Sequence, residues 1–244
     1  WSTFPRMETT ATGWIVIDRA RGVLARSYRF GKGATAMTFA ARMADGTLVV
    51  VSPPTGLDDA AFAELAPFGE VGALVANNGF HYLGQAAWRA RFPKARCFAP
   101  AAAVARIDKK SKVKLGFEPM AALAELTGPD LGFRDVPDTK RGESWCWAKT
   151  EGGHAWYASD VLANMPKAPP FPISLLFKWT KSAPGYRVFG LALKLIVKDP
   201  KATLRLLAED LEAHPVATMV PAHGDVLDHA ALAADTRALV TGAR

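Results

Sequence analysis

An alternation of strand and helix patterns between residues 71 and 110 is the feature that most constrains the fold of this chain. It reads strand, helix, strand, helix as "VGALVANN", "HYLGQAAWRARFP", "ARCFAP" and "AAAVARIDKK". Such alternation is typical of layered α/β architecture, in which helices cover a sheet. A chain of 244 residues can bury one substantial core. We therefore expect a single domain over residues 1–244.

Antiparallel patterns lie on both sides of this alternation. Before it, four β-rich runs are separated by turns, and the Asp45-Gly46 pair between two of them is a strong hairpin signal. A helical pattern with Asp58 and Asp59 near its start follows. After the alternation, "SWCWAKTEGG" and "HAWYASDVLA" pair naturally across "EGG". A helix after Pro200, a short buried strand "VATMVPA" and a closing helix complete the pattern.

Composition indicates a globular protein and argues against several other classes. Half of the residues are hydrophobic and 22% are charged. The longest apolar run, residues 188–197, is too short for a transmembrane helix, which needs about 20 apolar residues. Cys97 and Cys146 lie in strand-like apolar settings and match no zinc motif, so we expect buried free thiols. No signal-peptide pattern is recognisable, and we expect a cytoplasmic location by default.

The net charge of +7 raises the question of an anionic partner. Five basic residues form the densest cluster: Arg106, Lys109, Lys110, Lys112 and Lys114. A nucleic-acid surface usually adds aromatic stacking residues or a known reading motif, and the sequence shows neither beside this cluster. The cluster therefore indicates a solvated face, and we expect no nucleic-acid partner.

The segment "PPFPISLLFKWTKSAPGYRVFGLALKLIV" is unusually apolar and aromatic. Its large side chains could form a wall or lid over a pocket, but core packing or a homodimer contact explains them as well and is favoured. They are Phe171, Leu175, Leu176, Phe177 and Trp179. A surface helix resting on a membrane is a third alternative, supported by Lys178, Lys181 and Lys194. We expect no membrane partner.

Three strand patterns end in residues that can bind a metal. "VGALVANNGFH" ends in His81, "HAWYASD" in Asp160 and "VATMVPAH" in His223. Residues at the ends of core strands can meet at one edge of a sheet. Two imidazoles and a carboxylate suit zinc or non-haem iron. Singly, each residue has a plainer interpretation as a packing, capping or turn residue.

Together these motifs resemble the metallo-β-lactamase fold superfamily, in particular a degenerate branch of unknown function. The resemblance covers most of the chain and implies a four-layer αββα sandwich. "PAHG" matches the histidine and glycine that end the family's late strand, and "YASD" places Asp160 where the family has its bridging carboxylate, often as Gly-Asp. Ser159 stands in place of that glycine.

The family's signature loop, H-x-H-x-D-H, has lost most of its ligands here. If His81 takes the place of the last histidine, then Ala76, Asn78 and Phe80 occupy the other ligand places. If the register slips by one, Tyr82 takes that place. The family's middle histidine is also missing, because residues 132–144 contain no histidine. In the first register, His81, Asp160 and His223 would still hold one metal.

The resemblance implies a single-metal hydrolase of an ester, lactone or phosphoester, with one zinc or iron ion. In the family a carboxylate orients the attacking water, and in the first register Phe80 stands in its place. Asp225 or Asp138 is therefore considered as a replacement base. Five residues are candidates for contacting a small-molecule substrate or ligand: Asn77, Asn78, Tyr82, Phe177 and Trp179. The alternative is a non-catalytic scaffold that binds a small molecule or a protein partner.

Overall fold

The computed structural model describes residues 7–31 and 33–242. Its strands are β1 (Glu8–Thr9), β2 (Ile15–Asp18), β3 (Val23–Phe30), β4 (Ala34–Arg42), β5 (Leu48–Val51), β6 (Val71–Val75), β7 (Arg96–Phe98), β8 (Leu131–Asp135), β9 (Ser144–Thr150), β10 (Gly153–Tyr157), β11 (Leu162–Met165), β12 (Gly185–Val188), β13 (Val216–Val220) and β14 (His223–Gly224). Its helices are α1 (Asp59–Ala63), α2 (Gln85–Arg91), α3 (Ala101–Ser111), α4 (Met120–Thr127), α5 (Ile173–Trp179), α6 (Gly190–Ile196), α7 (Pro200–Ala213) and α8 (Leu232–Thr241). A 3-10 turn, Ser159–Val161, separates β10 from β11.

The first seven strands form one sheet in chain order. It is antiparallel from β1 to β5 and parallel from β5 to β7. The predicted Asp45-Gly46 turn joins β4 to β5, and the Asp45 carboxylate accepts the backbone N–H of Thr47 at 2.9 Å. Since β5 and β6 are parallel, the segments that follow them leave the sheet at the same edge.

The second sheet has the order β13, β10, β9, β8. The predicted hairpin of β9 and β10 is present, with Gly153 opposite Thr150. β13 pairs with β10 in parallel, so the segments after these two strands also run side by side. They enter a small third sheet of β11, β12 and β14, in which Ala163 is opposite His223.

Neighbouring residues on each strand face different cores, as the pleat of a strand requires. On β9, Cys146 lies in the core between the two large sheets, whereas Trp145 packs in a second core with Leu207 of α7. On the first sheet, Val50 packs with Trp88 of α2. The order of layers is helix, sheet, sheet, helix, which confirms the four-layer αββα sandwich expected from the resemblance.

Several short elements were not indicated by the sequence patterns, among them β1, β14, α4 and β12. α4 follows Pro119 and is only eight residues long, and β12 is a four-residue strand inside the apolar and aromatic segment at residues 169–197. β12 pairs antiparallel with β11, and so extends the third sheet. Elements this short carry too little periodicity to be recognised. Cys97 and Cys146 are buried and free, as expected. Every helix in the described ranges is too short or too polar to cross a bilayer.

Candidate metal centre

The structure brings together the three side chains that the strand ends indicated as ligands. Nε2 of His81 and Nε2 of His223 each lie 3.2 Å from Oδ1 of Asp160. One ligand atom from each residue lies within 4.8 Å of the other two, and residues 7–31 and 33–242 contain no other such group of three. A tetrahedral zinc ion with bonds of about 2.0–2.1 Å separates its ligand atoms by about 3.3 Å. The spacing of the trio is therefore compatible with one ion.

The parallel strands explain why the three residues meet. His81 lies in the loop after β6, Asp160 in the 3-10 turn after β10, and His223 at the start of β14, just beyond β13. His81 follows a strand of the first sheet, whereas Asp160 and His223 follow neighbouring strands of the second. The sheets are joined at this edge by the backbone N–H of Met37, which donates to the carbonyl of Ala222 at 2.8 Å.

The ring of His223 is oriented by a backbone carbonyl. Its Nδ1 lies 2.8 Å from the carbonyl oxygen of Thr35, which can only accept, so Nδ1 carries a proton. In the neutral ring, Nε2 then directs a lone pair at the Asp160 carboxylate, and this contact is repulsive unless a cation lies there. The cation is either a proton on Nε2 or a metal ion. A histidine that donates Nδ1–H to a carbonyl and presents Nε2 is the usual arrangement of a metal ligand.

The ring of His81 is held in a similar way by a hydroxyl. Its Nδ1 lies 2.8 Å from Oγ of Ser52, which lies 2.9 Å from the hydroxyl of Tyr28. Ser52 follows β5 directly and has a φ of 53°, in the left-handed region that side chains rarely adopt. Such backbone strain is concentrated at functional sites in proteins. Its position here suits a residue that must aim His81.

Asp160 is buried, and its second oxygen is also occupied. Oδ2 accepts from Nδ2 of Asn78 at 2.9 Å, and Oδ1 of Asn78 accepts the backbone N–H of Phe80 at 2.8 Å. Burial acts to raise the pKa of Asp160, but the charges and hydrogen bonds of the two histidines hold this pKa well below its usual range. Burial acts to lower the pKa of His223, but the Asp160 carboxylate outweighs this effect and the pKa is raised. Both shifts favour an ion pair between Asp160 and protonated His223 in the metal-free protein.

A buried network behind Asp160 was not anticipated from the sequence. Glu143 is fully buried. It accepts the hydroxyl of Ser159, the backbone N–H of Ser144 at 3.0 Å and Nδ2 of Asn78 at 3.4 Å. Burial and the nearby charge of Asp160 raise the pKa of Glu143 well above its usual value. Asn78 thus links the two carboxyl groups.

A cavity of about 220 Å³ opens onto the trio. Apart from the trio it is lined by Tyr28, Phe30, Ala36, Phe80, Leu83, Phe189, Leu191, Ala192, Leu195 and Ile196. Nine of these ten residues carry no polar group, and Tyr28 is the exception. The ring of Phe189 meets the ring of His223 edge-on, with 5.6 Å between centroids. The site is a polar trio in an otherwise apolar pocket.

The other aspartates considered as a base lie away from this cavity. Asp225 is exposed and lines a different cavity together with Met7 and Met37. Its backbone N–H donates to Asn164, which follows from the parallel pairing of β14 with β11. Asp138 is exposed and pairs with Lys198 at 3.6 Å. Neither carboxylate faces the trio.

The candidate substrate contacts also lie outside the lining of this cavity. Asn77 and Asn78 are fully buried; Asn78 holds Asp160, and Nδ2 of Asn77 donates to Ser159. Tyr82 packs against a small alanine-rich cluster beside α3. Phe177 is buried 5.6 Å from Phe189 between ring centroids. Trp179 is 75% exposed. The apolar segment does contribute to the wall, but through Phe189 and the residues of α6.

Several residues of the site were missed, for identifiable reasons. Ser52 ends the apolar run "LVVVS", which is the same signal that singled out the trio. Tyr28 and Thr35 lie on a hairpin, and Glu143 on a loop, where nothing in the sequence sets them apart. Arg106 was grouped with the solvated basic cluster. In the structure its Nε donates to the carbonyl of Gly79 at 3.0 Å, and its guanidinium group lies over the ring of Phe80. Lys109, Lys110, Lys112 and Lys114 are exposed, as expected.

Comparisons with known proteins bear on the fold. No protein family and no curated protein matches the sequence. Among solved structures, the mono-zinc form of the metallo-β-lactamase FIM-1 from Pseudomonas aeruginosa has a TM-score of 0.57 at 12% identity, over 98% of each chain. The metallo-β-lactamase DIM-1 has a TM-score of 0.57 at 10% identity, over 91% of this chain and 94% of its own. The Flv1 flavodiiron core from Synechocystis sp. has a TM-score of 0.57 at 11% identity, over 97% of this chain and 62% of its own. The chain therefore has the metallo-β-lactamase fold, as the resemblance implied.

Proposed function

We propose that this protein is a metal-dependent hydrolase with a single-metal site formed by His81, Asp160 and His223. One observation carries the proposal: two imidazole Nε2 atoms converge on one carboxylate oxygen at 3.2 Å, and both rings are fixed through Nδ1. Two histidines and an aspartate suit zinc or iron, and these three residues would supply the minimum of three protein ligands that a catalytic site needs. When bound, such an ion lowers the pKa of a water molecule and polarises a carbonyl or phosphoryl group.

Tyr28 is placed to stabilise negative charge that develops on the substrate. Burial raises the pKa of Tyr28 to about 12, so the hydroxyl stays protonated at neutral pH. His81 that binds through Nε2 carries its proton on Nδ1 and donates it to Ser52, and Ser52 can then donate to the oxygen of Tyr28. The proton of Tyr28 is left free to be donated into the cavity. A fixed donor of this kind is a common way to stabilise an oxyanion.

Among the residues that the structure describes, Asp160 is the one carboxylate that lines the cavity. Its Oδ1 faces both imidazoles, and Oδ2 is already bonded to Asn78. Proton transfer during hydrolysis would therefore involve Asp160 or the solvent, because neither Asp225 nor Asp138 is near. The aliphatic and aromatic lining excludes water and favours an ester, lactone or phosphoester with an apolar group next to the reacting bond.

The first test is metal content per chain, measured by elemental mass spectrometry on protein purified without a histidine tag. We expect about one zinc or iron ion per chain, and its loss in His81→Ala and His223→Ala, because each substitution removes one of the minimum of three ligands. His229→Ala is the matched control, since His229 is exposed and outside the trio. Protein that binds no ion after incubation with zinc, iron or manganese would refute the metal site.

Hydrolysis itself is tested on chromogenic esters of increasing acyl length, on lactones and on phosphodiesters. We expect activity that a chelator abolishes and the ion restores, with preference for the more apolar esters. Activity that survives the chelator and the His223→Ala substitution would contradict the proposal.

A non-catalytic scaffold is the second candidate function. It is favoured by the absence of a second carboxylate from the cavity lining given above, because the family uses such a carboxylate to orient water. This alternative predicts that an apolar small molecule binds in the cavity with the same affinity with and without chelator. Isothermal titration of short-chain fatty acid esters into wild-type and Leu195→Trp protein distinguishes cavity binding from surface binding.

A further inference from the structure

Helix α5 carries an exposed apolar surface, which we call the α5 face. It consists of Phe171, Ile173, Leu175, Leu176 and Trp179, and their exposed fractions range from 42% for Leu176 to 77% for Phe171. Single exposed hydrophobic side chains are common on proteins, but five large ones within nine residues are not. Residues three and four apart on a helix are neighbours, so Leu176 adjoins Ile173 and Trp179, and Leu175 adjoins Trp179, whereas Phe171 lies just before the helix. Such a surface marks a site of interaction.

The helix that presents this face is firmly held on its other side. Phe177 is buried against Phe189, a residue of the cavity wall. A Cβ atom added at Gly190 would lie 2.6 Å from the carbonyl oxygen of Thr180, so the end of α5 lies directly against the start of α6. The expected core packing therefore holds for Phe177 but not for the residues of the α5 face. The residues of the α5 face are exposed because the opposite side of the helix packs against the rest of the protein.

All of the charged residues around the α5 face in sequence are cations. Between residues 161 and 198 there are six basic residues and no acidic residue. They are Lys167, Lys178, Lys181, Arg187, Lys194 and Lys198, and all six are exposed. Six positive charges compare with a net charge of +7 for the whole chain. Nζ of Lys194 lies 4.5 Å from the centroid of the Trp179 ring, and within the described residues only Lys198 of the six has an acidic partner, Asp138 at 3.6 Å.

We propose that the α5 face docks on the surface of an anionic lipid bilayer. Leucine, isoleucine and aromatic side chains on one short helix, surrounded by exposed lysines, fit the boundary between lipid headgroups and acyl chains. Tryptophan and lysine are also the side chains that anchor proteins at this depth. A second copy of the chain is a poorer occupant, because a symmetric contact would bring two sets of six cations together. The proposal does not depend on the hydrolase activity.

Docking in this way would place the mouth of the cavity near the lipid. Leu83 and Leu195 line the cavity and are 47% and 53% exposed. Leu195 follows Lys194, which contacts Trp179 of the α5 face. An exposed apolar residue of the cavity rim is therefore next in sequence to a residue that contacts the α5 face.

Sedimentation with sucrose-loaded vesicles tests the proposal on the full chain. Vesicles of phosphatidylcholine alone are compared with vesicles in which one third of the lipid is phosphatidylglycerol. We expect binding at least about 25-fold tighter to the anionic vesicles, and weaker binding at high salt. Each lysine near the surface contributes about fivefold to affinity, so Lys178→Gln with Lys181→Gln should weaken binding by about 25-fold. Leu175→Ser with Trp179→Ser should remove the apolar contribution, and both side chains are exposed enough to leave the core intact.

The matched control is Lys109→Gln with Lys110→Gln, which removes two exposed lysines of α3 and leaves the α5 face unchanged. We expect this control to bind like wild type. Equal loss of binding in the control, or no binding to anionic vesicles, would overturn the proposal. So would a wild-type dimer in analytical ultracentrifugation that becomes monomeric in the Leu175→Ser and Trp179→Ser variant, because a second copy would then occupy the face.

Discussion

Substituting Ser159 by glycine and by alanine separates two opposing contributions to the placement of Asp160. Ser159 has a φ of 52°, and the left-handed conformation costs a residue with a Cβ atom about 1–2 kcal/mol. Its hydroxyl donates to Glu143 and accepts from Asn77, and all three residues are fully buried. Leaving such buried partners without a hydrogen bond costs about 1–3 kcal/mol.

The two variants lose the same hydroxyl but differ in strain. Ser159→Ala keeps the Cβ atom in the left-handed conformation, so its free energy of unfolding should fall by about 1–3 kcal/mol. Ser159→Gly relieves about 1–2 kcal/mol of strain, and the added freedom of glycine in the unfolded chain offsets about 0.4–1 kcal/mol of this gain. We therefore expect the glycine variant to be more stable than the alanine variant by about 1 kcal/mol.

Urea denaturation of the metal-free proteins measures this difference, provided that all the transitions have the same m-value. At an ordinary buried position a glycine variant is less stable than the alanine variant. The order of stability expected at Ser159 is therefore the reverse of the usual one. An alanine variant as stable as the glycine variant would show that the left-handed turn at Ser159 carries no strain. The resemblance described above implies glycine at this position, and the φ of 52° at Ser159 gives a physical reason for glycine there.

Three further predictions concern protons and charge at the site. Because the pKa of His223 is raised, a metal ion that binds below that pKa must displace a proton. Zinc affinity should therefore fall about tenfold for each pH unit below the raised pKa. Competition with a chelator across this pH range measures the affinity, and an affinity that does not change with pH would contradict the prediction. In metal-free protein, protonated His223 stabilises the fold fully below its unfolded pKa of about 6.5, and this contribution is lost as pH rises through the raised value. His223→Gln should therefore cost more stability at about pH 6 than at about pH 9, and an equal cost at both would exclude the ion pair. Tyr28→Phe should lower kcat by about 100-fold with little change in KM if its hydroxyl stabilises the oxyanion; a change in KM alone would indicate a role in binding.

The fold could be predicted because the signals that mark its turns and the boundaries of its elements are local in sequence. The Asp45-Gly46 turn, the "EGG" hairpin and the strand-helix alternation each occupy a short stretch, and each is present in the structure. The convergence of His81, Asp160 and His223 could be anticipated because all three follow apolar strands whose ends meet. β12 could not be predicted, because its pairing with β11 depends on tertiary packing and a four-residue strand gives too short a sequence pattern.

The residues that orient the trio were beyond the sequence for a related reason. Thr35 acts through its backbone carbonyl, so its side chain gives no signal. In the sequence, Glu143 resembles an ordinary glutamate of a solvent-exposed loop. The structure shows that it is buried and hydrogen-bonded to Ser159 and Asn78. The exposure of Leu175 and Trp179 was equally hidden, since a helix rich in apolar residues is usually packed in the core.

The position of the three candidate ligands after strands of different sheets has a consequence for the stability of the chain. His81 and Asp160 are 79 residues apart in sequence, so an ion held by both would close a long loop of the chain. Closing a long loop restricts the unfolded ensemble, and any ion that binds only the folded state shifts the folding equilibrium by mass action. Backbone amides of β6 and β10 should then exchange with deuterium more slowly in the metal-loaded protein. In that state the ion would act as a cross-link between the two halves of the sandwich.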